Sequence, residues 1–132
     1  MLLTKKSEYA LLSLVSIAQS TCPKNVDELS TELNISKSFL AKILQNLAKN
    51  GILNSYKGNN GGFTLKKPCE RLTILEITSI AEQKLPTVFD CTTSEEKCED
   101  NKDGQCTIFP LLNNLQYKIN DFLNQLTLKD IL

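Results

Sequence analysis

Apolar positions along the first fifty residues recur with a helical period. In KKSEYALLSLVSIAQS the residues Tyr9, Ala10, Leu12, Val15, Ile17 and Ala18 make a broad stripe, and Thr4 stands where a cap is needed. VDELSTELN follows after the TCPKN loop, with Val26, Leu29 and Leu33 on one face and a stop at Asn34. ISKSFLAKILQNLAKNG opens a third helix with Ser36 as its N-cap. Phe39, Leu40, Ile43, Leu44 and Leu47 line the buried face, and Gly51 ends it. There the period drops to two. ILNSYK and FTLKKP read as short strands joined by the GNNGG turn, and Pro68 ends the second. Three helices and a hairpin in this order predict a winged helix-turn-helix.

The second half returns to helix. Thr73 to Glu76 form a capping-box sequence that opens a fourth helix to about Glu82, and Pro86 closes that region. TIFPLLNNLQYKINDFLNQL predicts one long helix, with Pro110 tolerated in its first turn. Ile108, Leu112, Leu115, Ile119, Phe122 and Leu126 recur at steps of three and four, as in a heptad seam. Thr127 to Asp130 read as another capping box, with a short helix beginning at Leu128. Burying a large apolar side chain stabilises by about 1.5–3 kcal/mol. Such a seam is too much to leave wet on a small chain. Part of it is expected on the first half of the chain and part on a second copy, as a homodimer. The fold class is therefore mainly α: a winged helix-turn-helix with a small β-hairpin wing and a long C-terminal dimerisation helix. The expected division is a DNA-binding domain over 1–83, a cysteine loop over 84–106, and a dimerisation helix with its arm over 107–132.

Net charge is zero, but its distribution is not even. Residues 1–67 hold nine lysines against four acids, and residues 68–132 hold six basic residues against eleven acids. A basic half attached to a helix-turn-helix pattern points to double-stranded DNA; a solvated lysine surface or a protein-binding winged helix is the alternative. In such a motif the second helix lies in the major groove with its first residues at base edges. Ser36, Lys37, Ser38, Phe39 and Lys42 occupy that part of the third helix. Lys57, Asn59 and Asn60 lie at the wing tip, and Lys5 and Lys6 lie where the first helix could meet the phosphate backbone. A dimer would set two recognition helices about 34 Å apart, which predicts a pseudo-palindromic site.

No apolar run reaches the length of a membrane span. The opening MLLTKKSEYALLSL lacks the order of parts of a signal peptide, so a cytoplasmic protein is expected. Enzymatic function is not expected. The chain has no histidine, and no catalytic triad or phosphate loop is evident.

Against that cytoplasmic setting the cysteines stand out, because thiols there stay reduced and an odd number cannot pair completely. Cys91, Cys98 and Cys106 lie within CTTSEEKCEDNKDGQC, at spacings of six and seven residues. Zinc ribbons use paired C-x2-C knuckles, which are missing here. Three soft thiolates on one loop suit an iron–sulphur cluster. Zinc held by three thiolates and an oxygen is the second reading, and a redox-active disulfide the third. Cys22 and Cys69 are each isolated beside a proline and read as structural or incidental.

These stretches together resemble the Rrf-two family of bacterial winged-helix regulators, in particular its NsrR- and IscR-like iron–sulphur members. The resemblance rests on LTKKSEYALLSL, ISKSFLAKILQNLAKNGIL, YKGNNGGFTLKKP, the three-cysteine loop and FLNQLTLKDIL, and it spans essentially the whole chain. It implies a homodimer paired through the long helix and a transcriptional regulator, expected to be a repressor. Its DNA affinity would follow a cluster bound at Cys91, Cys98 and Cys106, with 4Fe–4S favoured over 2Fe–2S. IscR-like members carry a histidine shortly after the third cysteine, where this chain has Phe109. NsrR-like members take a first-helix acid from the partner subunit, usually aspartate. Glu8 stands at that position and is the implied fourth ligand. The signal implied is nitric oxide, redox state or iron–sulphur status. IscR-like members also carry a recognition-helix glutamate where this chain has Ala41, so target sequence does not transfer. The alternative is a zinc-bound or cluster-free winged-helix protein that mediates protein interaction or thiol redox regulation.

Overall fold

The computed structural model describes residues 3–59, 61–87 and 107–132. Three helices come first: α1 (Lys5–Ala18), α2 (Val26–Leu33) and α3 (Lys37–Lys49). Asn34, in the left-handed region at φ 55°, ends α2 and turns the chain into α3. The hairpin follows as β1 (Leu53–Tyr56) and β2 (Gly62–Leu65), antiparallel, with Leu53 opposite Leu65 and Tyr56 opposite Gly62. A 3-10 turn over Cys69–Arg71 leads to α4 (Ile74–Glu82). The long helix is α5 (Phe109–Gln125), and a second 3-10 turn (Leu128–Ile131) closes the chain. The winged helix-turn-helix expected from the sequence is the observed fold.

One core joins these elements. Leu14, Leu29, Leu40, Leu44, Leu47, Ile52, Leu72, Ile77 and Leu128 are fully shielded from solvent. Leu123 of α5 joins the same cluster. The last segment is stitched in by backbone bonds. Ile74 N–H donates to Leu126 O at 2.9 Å, and Leu128 N–H donates to Leu72 O at 2.8 Å. The wing is pinned at its root. Phe63 N–H donates to Lys24 O at 2.8 Å, so β2 lies against the α1–α2 loop. A Cβ at Gly62 would stand 2.6 Å from the Lys24 carbonyl, and one at Gly61 would stand 2.3 Å from Tyr56 O. Only glycine permits both approaches.

Three expectations are corrected in detail. Thr73 does accept a bond from Glu76 N–H at 3.1 Å, but the Glu76 carboxylate does not reach back to the cap. It pairs with Lys67 at 2.5 Å instead, so the box is half made. The box at Thr127 and Asp130 is complete. Ser36 occupies the N-cap position of α3 but makes no cap bond, because its hydroxyl pairs with that of Ser38 at 3.2 Å. The six-residue seam of α5 is divided. Leu112 is buried, and Ile119 and Leu126 pack against the core, whereas Leu115 and Phe122 are 39% and 61% exposed and Ile108 is 55% exposed. The inward face is centred on Leu112, Gln116, Ile119 and Leu123, which rotates the remaining apolar positions outward.

Candidate nucleic-acid interface

Helix amino termini leave their first backbone N–H groups without partners in the helix. Side chains cap three of the described helices: Thr4 accepts from Lys6 N–H, Asn25 from Glu28 N–H and Thr73 from Glu76 N–H. No side chain caps α3. Its opening turn therefore offers uncapped N–H groups beside the hydroxyls of Ser36 and Ser38, both exposed. Such an end favours an anion.

Aromatic contact brings the start of α1 beside this turn. The Tyr9 ring of α1 meets the Phe39 ring of α3 edge-on, with centroids 5.6 Å apart and planes at 88°. Lys5 Nζ lies 5.9 Å above the same Tyr9 ring. Phe39 is thus half-buried between the helices. A shallow groove beside it is lined by Lys6 from α1, Lys42 and Asn46 from α3, and Gln83 beyond α4. Lys6, Phe39 and Lys42 share this groove, and Lys5 is linked to it through the Tyr9 ring.

Their charges differ in engagement. Lys5 bonds Glu8 at 2.9 Å, and this bond holds the Lys5 ammonium above its ordinary value of 10.5. Lys37 pairs with Asp27 at 2.6 Å, an exposed link between α2 and α3. Exposed ion pairs of this kind exchange partners at little cost. Lys6, Lys42 and Lys57 are exposed and form no ion pair with any described residue. Asn59 is exposed at the wing, while Asn60 lies outside the described residues.

The metal constellation is reached only in part. Cys91, Cys98 and Cys106 lie outside the described residues. Glu8 is on the exposed side of α1, in the wall of a cleft of about 390 Å³ that also includes Leu3, Thr4 and Leu11. One carboxylate oxygen accepts from Lys5, and the other has no partner among the described residues. Cys22 is exposed, and Cys69 is half-buried at the start of its 3-10 turn.

Two polar clusters had no signal in the sequence. Glu82 accepts from Thr4 N–H at 2.9 Å, from the Thr4 hydroxyl at 2.6 Å and from the Ser7 hydroxyl at 2.7 Å. Burial alone would raise its pKa, but these hydroxyls and the Thr4 and Ser7 N–H groups hold it below the ordinary 4.5. Glu32 accepts from Ser16 at 2.7 Å and from Lys24 at 2.5 Å, and Lys24 and Ser16 hold it below 4.5 as well. Both clusters join residues on different elements, so no local spacing marks them.

Residues 3–132 match the Rrf2 family, described as iron-dependent transcriptional regulator. The chain belongs to the Rrf2 family. It is 28% identical to the HTH-type transcriptional regulator IscR of Klebsiella pneumoniae, over 99% of this chain and 79% of that protein. Two solved structures share the fold. CymR of B. subtilis, the global cysteine regulator, superposes with a TM-score of 0.77 at 19% identity, over 99% of this chain and 95% of that one. IscR of T. potens superposes with a TM-score of 0.72 at 19% identity, over 99% and 85%. This Rrf2 chain is a DNA-binding transcriptional regulator and not an enzyme. No helix among its described residues is long and apolar enough to cross a membrane.

Proposed function

We propose that this Rrf2 regulator is a cytoplasmic homodimer that holds an iron–sulphur cluster and represses transcription from a pseudo-palindromic DNA site. Its affinity for that site follows nitric oxide, redox state or iron–sulphur status. The observation that carries the DNA part is the joining of Lys5 and Lys6 of α1 to Phe39 and Lys42 of α3, beside the uncapped start of α3. In this reading the α3 N–H groups, Ser36 and Ser38 take phosphate or base edges. Lys5, Lys6, Lys37 and Lys42 neutralise phosphates. Lys57, Asn59 and Asn60 add a wing contact, and Phe39 sets the spacing of the two helices. The dimer face is the outward apolar stripe of α5, with Leu111, Leu115 and Phe122.

The donor set fits a cluster. Three thiols, Cys91, Cys98 and Cys106, lie within sixteen residues, and Glu8 presents a carboxylate oxygen that no described group occupies. In this reading the three cysteines hold a cluster, 4Fe–4S in preference to 2Fe–2S, and Glu8 of the opposite protomer is the fourth ligand. When bound, the cluster supplies chemistry reactive to oxidants and nitric oxide. The chain's own part is to keep Glu8 on the same helix turn as Lys5, three residues away, so that the carboxylate and the DNA-facing cation share one rigid element.

The test is anaerobic purification with absorbance, iron and sulphide measurement, followed by duplex titration at several salt concentrations with and without nitric oxide. Iron and sulphide in matching amounts are expected. Each neutralised phosphate should contribute about 0.9 to the slope of log affinity against log salt. Glu8→Ala should alter cluster spectrum and stability. Zinc without sulphide overturns the cluster, and salt-independent binding overturns the DNA face.

A further inference from the structure

In a capping box the residue at the third helical position supplies a carboxylate that reaches back to the N-cap N–H. In α1 that position is Ser7, which is buried and has no carboxylate. The missing acceptor comes from 78 residues away. Glu82, the last residue of α4, takes the Thr4 N–H at 2.9 Å and the Ser7 hydroxyl at 2.7 Å. The Thr4 hydroxyl donates to the same carboxylate and accepts from Lys6 N–H at 3.2 Å. A continuous chain of bonds thus runs from α4 to the backbone of a proposed DNA-contacting residue. Nearby in α4, the Ile80 carbonyl accepts from Asn46 Nδ2 of α3 at 2.7 Å. The end of α4 therefore holds the start of α1 and the body of α3 together.

We propose that Glu82 is a positioning residue for DNA binding. It completes the amino-terminal cap of α1 from another helix of the same chain and so fixes the turn that carries Lys5 and Lys6 relative to α3. This rests on the DNA-binding reading above and adds a means of regulation. The chain leaves α4 through Gln83, in the left-handed region at φ 61°, and continues towards the cysteine-bearing segment. Displacement of the last α4 turn would remove the acceptor from the Thr4 N–H and the Ser7 hydroxyl, leaving only the Thr4 hydroxyl bond to Lys6 N–H at the start of α1.

Glu82→Gln tests this, because the side chain keeps its shape but replaces one acceptor oxygen with an NH2 group. Circular dichroism, duplex affinity against salt, and hydrogen exchange of the Lys5–Glu8 amides are measured on the full chain. The expected result is a folded protein with faster exchange at those amides. Its salt slope should be smaller by about 0.9 for each phosphate that the displaced lysines no longer neutralise. A residue that only adds stability would leave the slope unchanged. Ser7→Ala removes one donor to the same carboxylate and is expected to act in the same direction, so it decides the matter if Glu82→Gln does not fold. Unchanged slope and exchange in the folded variant overturn the role of Glu82 while native binding stands. A native chain that binds no duplex overturns the DNA-binding reading itself, and this inference with it.

Discussion

α3 and α5 are both amphipathic, yet they end in different conditions. In α3 the apolar residues Leu40, Ile43, Leu44 and Leu47 are all buried, Phe39 is half-buried, and the outward side carries Ser38 and lysines. In α5 Leu112 and Leu123 are buried with Gln116 between them, while Leu111, Leu115 and Phe122 stay 39–65% exposed. The polar side of α3 is ready for a charged ligand. The uncovered apolar side of α5 is ready for another hydrophobic surface. Periodicity marks a helix face as apolar, but it does not say whether one partner suffices to cover it.

Charging the outward side of α5 should have the largest effect. Leu115→Glu or Phe122→Glu should leave the fold intact and convert the proposed dimer to monomer in sedimentation. Each altered position occurs twice in a two-fold interface. Losing its burial removes on the order of 3–6 kcal/mol of association energy. Unchanged sedimentation would assign that face to a different partner.

A smaller effect is expected inside α3. Leu44→Ala should destabilise by about 2–5 kcal/mol in chemical denaturation, since a fully buried leucine leaves a cavity. Leu111→Ala, at a position 65% exposed, should change the stability of the separated chain by less than about 0.5 kcal/mol. Equal losses at the two sites would erase the distinction.

Acid should separate the two surfaces most gently. Glu82 and Glu32 have folded pKa values below their ordinary 4.5, so the folded state binds fewer protons than the unfolded state. Their contribution is fully present above 4.5 and is lost as pH falls through the lower folded values. Denaturation midpoints should therefore fall below pH 4.5, and less so in Glu82→Gln. Association through the proposed α5 face, where Asp121 beside Phe122 is the helix's one carboxylate, should follow chiefly the loss of folded chain.

Much of the architecture is legible in the sequence because it is local. The stop at Asn34, the β1–β2 hairpin and the Thr127–Asp130 box each act within a few residues, and each stands where local chemistry puts it, whereas the α1 stripe is phased differently: Leu12 is 42% exposed and Leu14, outside the expected stripe, is fully buried. Lys5, Lys6, Lys42 and Lys57 can be selected from charge and motif alone, and all four are exposed. Ser36 has the right identity for a cap, but the neighbouring hydroxyl of Ser38 competes for it. Glu76 has the right spacing for a box, but Lys67 takes its carboxylate. The α5 seam has the right period, but packing against α4 selects its phase.

The order of helices and hairpin, the basic first half and the three-cysteine motif follow from the amino-acid order alone, because periodicity, turn chemistry and residue type are written over short spans. Folding was needed to bring two sets of lysines together through Tyr9 and Phe39. It was needed also to keep one apolar side of α5 outward and to cap α1 with a carboxylate 78 residues away. Those outcomes depend on which distant groups compete for the same hydrogen bond or the same apolar surface, and that competition exists only once the chain has folded.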